Sequence, residues 1–116
     1  MTHWADGLTT IALRFRTGTK SIRDLFTEAA PPEDCSAAEF KAAVAERLAA
    51  AQELVDAWQT YSYDKRSSPS PYLDGVKVGF YDGGTHDAVT HATMTDACVD
   101  FLHRETYWVL HRRRVV

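Results

Sequence analysis

Glu105 is the side chain whose position most invites chemistry. At about 100° per residue along a helix, it falls at the centre of an apolar arc formed by Phe101, Leu102, Trp108 and Val109, with Arg112 two turns on along the same arc. A carboxylate so placed is either paired in the core or held in a pocket. Unpaired and desolvated, its pKa rises, which is how general acids are made. The ordinary assignment is a structural ion pair with Arg112, Arg66 or another base. No second carboxylate stands where it would complete a glycosidase-like pair. The candidate pocket is therefore Glu105, Trp108 and Arg112.

A second constellation speaks for contact rather than catalysis. Four of the five tyrosines, Tyr61, Tyr63, Tyr72 and Tyr81, lie in one stretch with Lys65 and Arg66. Tyrosine and arginine on a loop supply large contact area with polar tips at modest entropic cost. Tyr61 continues the apolar stripe of the preceding helix and belongs to the core. Tyr63, Lys65, Arg66, Tyr72 and Tyr81 make the candidate interface. The competing assignment is that Tyr63 and Tyr72 seal a loop over the core.

The remaining constellations carry less. His86, Asp87 and His91, with Asp82 across a turn, have the chemistry of a zinc or iron site. On a strand, however, His86 and His91 point to opposite faces, so no metal is expected. His103, Tyr107 and His111 recur one turn apart with Asp96 and Asp100, as a polar, solvent-facing side of a helix. Neither Cys35 nor Cys98 has a basic neighbour in sequence, and no nucleophile elbow is present. Gly79, Gly83 and Gly84 match neither a phosphate loop nor a dinucleotide fingerprint. No cofactor is expected.

These side chains need elements to hold them. Residues 9–16 alternate, with Ile11, Leu13 and Phe15 on one side and Arg14 and Arg16 on the other, which predicts a half-buried strand. Ser21 caps a short helix through Ile22, Leu25, Phe26 and Ala29, ended by Pro31 and Pro32. Ser36 and Glu39 form a capping box. One long helix over 37–60 follows, with Phe40, Val44, Leu48, Ala51, Leu54, Val55 and Trp58 in a stripe. Residues 64–75 read as a proline-stiffened loop. Val76, Val78 and Phe80 alternate as a second strand, and Asp82-Gly83-Gly84 turns it into a third over 86–92. Thr93 or Thr95 caps a last helix that runs to about Arg112. The order β-α-α-β-β-α predicts an α+β fold: a small three-stranded, mainly antiparallel sheet with three helices packed on one face.

Composition bounds the function. A chain of 116 residues, 45% hydrophobic and 25% charged, is expected to form one domain over 1–116 with a core that needs no staples. The net charge of −3 argues against a general nucleic-acid binder. Acids crowd residues 33–56, the mark of a solvated helix face or of a surface for a basic partner. No apolar run approaches the ~20 residues of a membrane span, and the first residues lack a signal-peptide pattern. A cytoplasmic protein with free thiols and no membrane partner is expected. The functional expectation is a non-enzymatic protein-binding module, an inhibitor or immunity-type protein that occludes a partner protein. The alternative is a small enzyme or ligand-binding domain with its pocket at Glu105 and Trp108. A structural homodimer is a further possibility.

Overall fold

The computed structural model describes residues 3–65 and 69–115. Among them, six helices and one three-stranded antiparallel sheet make a mixed helix and sheet fold. The α+β class holds, but the order of elements differs from expectation at the start of the chain and in its middle.

The chain opens with α1 (Trp4–Thr9) and α2 (Ile11–Thr17), where a strand over 9–16 is expected. Burial explains the difference. Of the buried residues, Ala5, Leu8, Thr9 and Ala12 are spaced i, i+3, i+4, i+7, the period of a helix face. The alternation of Ile11, Leu13 and Phe15 is incidental: Ile11 is buried, but Leu13 and Phe15 are exposed. Local polar contacts reinforce the helical choice. The Thr9 hydroxyl donates to the Ala5 carbonyl (2.8 Å), and Arg14 Nη2 donates to the Gly7 carbonyl (2.7 Å).

Helix α3 (Ile22–Glu28) and helix α4 (Ala37–Ala50) begin where the caps predict. The Ser21 and Ser36 hydroxyls accept from the Asp24 and Glu39 amides, both at 3.1 Å. The long helix is broken, however. Ala51 leaves helical geometry (φ −147°, ψ 85°), and α5 (Gln52–Lys65) starts afresh. The break redirects the stripe: α4 packs on α1 and α6, whereas α5 packs on α2, α6 and the sheet. No glycine or proline marks the site, so tertiary packing decides it.

Strands β1 (Ser70–Asp74), β2 (Lys77–Tyr81) and β3 (Thr85–Thr90) form a meander. The first lies where a loop is expected. Its Pro71 lacks a donor, which an edge strand tolerates. Two contacts to α5 hold it: the Leu73 amide donates to Ser62 Oγ (2.7 Å), and the Gln59 amide group both donates to and accepts from the backbone of Gly75 (2.8 and 2.9 Å). Gly75 has φ +62° in the β1–β2 turn. Strand β3 is exposed along its whole length.

Helix α6 (Met94–His111) crosses the centre of the molecule, capped by Thr93, whose hydroxyl accepts from the Asp96 amide (3.0 Å). Trp58, Phe101, Phe40 and Phe26 fill the core around it. The Trp58 indole packs against Phe26, Tyr61 and Phe101 and donates to the Thr9 carbonyl (2.9 Å). That bond ties α5 to the end of α1 with its polar atom satisfied. No helix of the described residues is long and apolar enough to cross a membrane.

Candidate functional site

The described members of the expected interface have different surroundings. Tyr63 is the most exposed large aromatic, at 74%, on the outer side of α5. Tyr72 is 4% exposed and faces Gly79 across the β1–β2 pair. A methyl group on Gly79 would stand 2.8 Å from Tyr72 Cε1 and from the His86 carbonyl oxygen, so the glycine makes room for the ring. Tyr72 is thus packed within the sheet, with little surface to offer a partner. Tyr81, half-buried, pairs in register with Ser70 and Thr85 at the strand end. Lys65 is the last residue of α5, and Arg66 lies outside the described residues.

The expected pocket also changes character. Glu105 is fully buried, and its Oε2 accepts a 2.6 Å hydrogen bond from the Tyr61 hydroxyl. Burial, with the Glu105 carboxylate beside it, pushes the Tyr61 phenol well above its ordinary pKa. The phenol therefore stays a donor at any physiological pH. Arg112 does not reach Glu105. It adopts a left-handed conformation at the end of α6 (φ 51°) and lays its guanidinium over Trp108, 5.3 Å from the ring centroid. Trp108 packs edge-on against Phe80 of β2 (5.2 Å). Glu105 and Trp108 serve two different neighbourhoods.

The polar side of α6 is also corrected. Asp100 and His103, expected at the surface, are buried. Arg104 grips Asp100 with two hydrogen bonds (Nε to Oδ1 2.8 Å, Nη2 to Oδ2 3.3 Å), and His91 Nε2 lies 2.7 Å from Oδ2. Burial alone would raise the Asp100 carboxyl. The hydrogen bonds and charges of Arg104 and His91 outweigh it and hold the pKa below its ordinary value. His91 follows β3 directly, so this cluster ties the outer end of the hairpin to α6. Burial, together with Lys41, Arg104 and Arg113, lowers the His103 pKa against the opposing pull of Asp100. In the rest of the considered metal constellation, His86 Nε2 lies 3.1 Å from the Asp82 backbone carbonyl, and Asp87 pairs with Arg114. Cys98 is buried among apolar groups, which pushes its thiol up, and both cysteines are free. The acids of 33–56 are all exposed, a solvated face.

Exposed apolar side chains also gather on a surface that the sequence reading did not single out. On α2, Phe15 is 42% exposed and Leu13 37%. Phe15 stands edge-on to Tyr61 at 6.4 Å. Phe15 and Arg16 of α2, with Thr60, Tyr61 and Asp64 of α5, enclose an open concavity of about 440 Å³. A second, of about 270 Å³, lies between Tyr63 and Leu73, and Thr60 lines both. The face thus presents two large aromatic rings beside two hollows, with Arg16 and Asp64 as opposite charges at its edge. Its floor is rigid, because Tyr61 is locked by Trp58, Phe101 and Glu105. Sequence reasoning found Tyr63 but spent Leu13 and Phe15 on a buried strand face. The helical spacing of Ala5, Leu8, Thr9 and Ala12 is the signal that would have left them outside.

No family model, no curated protein and no solved structure matches this chain.

Proposed function

We propose that this chain is a non-enzymatic protein-binding module of the inhibitor or immunity type, which occludes a partner protein with its α2–α5 face. The reading is carried by Phe15 and Tyr63, two large aromatics held exposed on helices beside concavities of about 440 and 270 Å³. Aromatic anchors on a rigid support lose little entropy on binding and gain from desolvation, which is the composition of binding hot spots. Leu13 extends the apolar area. Arg16 and Asp64 set orientation more than affinity.

The test is stoichiometric capture by the tagged protein, compared across variants of unchanged circular dichroism and Tm. Phe15→Asp with Tyr63→Asp should abolish capture, since each anchor is expected to be worth about 2 kcal/mol or more, roughly thirty-fold in Kd. Glu46→Lys, on the acidic face of α4, should leave capture intact. A partner that survives the double substitution, or that is lost with Glu46→Lys, places the interface elsewhere. Light scattering adds the homodimer outcome: a dimer dissolved by the double substitution would make a second copy the occupant and overturn the inhibitor reading.

A further inference from the structure

We infer that the groove between α3 and the end of α6 binds a small molecule bearing an oxyanion, carboxylate or phosphate, on a flat apolar body. This site is separate from the α2–α5 face and does not rest on that reading. The groove measures about 660 Å³, within the ~300–1,000 Å³ range of small-molecule sites. Pro31, Pro32 and Leu110 supply apolar wall, and Tyr107 supplies an aromatic one. Arg23 enters from α3, while Arg113 enters beyond α6 with its guanidinium 5.0 Å from the Tyr107 ring centroid.

The charge arrangement selects the ligand. Arg47, Arg104 and Arg114 are each satisfied by a carboxylate, at Asp6, Asp100 and Asp87. Arg23 and Arg113 make no ion pair among the described residues. Two guanidiniums in one apolar groove offer planar, multiple N–H donation, which matches carboxylate and phosphate oxygens. Arg113 stacked on Tyr107 also continues a flat surface against which a ring can lie. Two groups oppose an anion. The end of α6 contributes about half a unit of negative charge, which two full positive charges exceed, and Glu33 stands at the groove. His103, whose pKa is lowered first by burial and then by Lys41, Arg104 and Arg113 against Asp100, feels the charge of Arg113 from this side of α6.

The test uses the full chain labelled with ¹⁵N and four probes: phenyl phosphate, phenylacetate, inorganic phosphate and benzyl alcohol. Phenyl phosphate or phenylacetate should shift the amides of 23–33 and 106–113 saturably, and the tighter of the two identifies the oxyanion. Inorganic phosphate and benzyl alcohol should each bind at least about tenfold more weakly, lacking one half of the recognition. Arg23→Gln and Arg113→Gln should each weaken the aryl anion about tenfold, a typical charge-assisted contact. Glu33→Gln should tighten it, an effect that mere damage to the fold would not produce. Shifts that map elsewhere, equal binding of benzyl alcohol, or indifference to all three substitutions would overturn the assignment.

Discussion

Asp100 and Glu105 lie little more than a turn apart on α6, both buried, and they tie the helix to different elements. Asp100 is held between two basic groups, Arg104 and His91, at the side that meets the sheet. Glu105 faces α5 and accepts a 2.6 Å hydrogen bond from the Tyr61 hydroxyl. The difference is one of purpose. The Asp100 cluster anchors the end of an otherwise exposed β3 to the core, so it acts as a tether. The Glu105–Tyr61 pair lies beneath Phe15 and sets the floor of the proposed binding face. Two carboxylates on one helix thus tie it to two different parts of the fold.

Breaking the tether should produce the larger effect. Asp100→Ala strands Arg104 as a buried, uncompensated charge, and about 3–5 kcal/mol of stability should be lost, read by urea denaturation. Asp100→Leu combined with Arg104→Met should lose less than that single change, because no charge is then left unpaired. A double variant as unstable as the single would mean that Arg104 is not held by Asp100. Tyr61→Phe, at the floor, should cost a smaller 1.5–3 kcal/mol, about the worth of a hydrogen bond to a charged group. Partner capture should weaken with it, because Tyr61 supports Phe15. Equal losses from Tyr61→Phe and Asp100→Ala would erase the distinction between the two regions.

The finest comparison is in pH. The folded pKa of Asp100 is depressed, so its contribution is fully present above its unfolded value, near 4, and is lost as pH falls through the folded one. His103 is a base with a depressed folded pKa, so protonation below about 6.5 favours the unfolded chain and begins the acid decline earlier. The Tyr61 pKa is raised. Its contribution is fully present below about 10 and fades as pH rises towards the folded value. Thermal melts across pH should therefore show Asp100→Asn flattening only the acid limb and Tyr61→Phe only the alkaline limb. A Tyr61→Phe variant with an unchanged alkaline limb would contradict the Tyr61–Glu105 arrangement.

Local chemistry alone determined a good part of this protein. Ser21, Ser36 and Thr93 each cap a helix through their own hydroxyls, and the arc of α6 and the turn at Asp82-Gly83-Gly84 are equally local. Capping and turn preferences act over three or four residues, so they can be read without the fold. Only the tertiary structure decided the rest. A Pro-bearing segment became β1 because Ser62 and Gln59 of α5 pin it there. Ala51 broke a helix that carries no local breaker, because α4 and α5 serve different neighbours. Residues 9–16, whose alternation predicts a strand, became helical because Thr9, Ile11 and Ala12 had a core to enter. That choice exposed Phe15, and with it created the face on which the functional proposal stands. Pairings such as Tyr61 with Glu105 or Asp100 with His91 and Arg104 depend on which elements meet, and short-range periodicity carries no record of that.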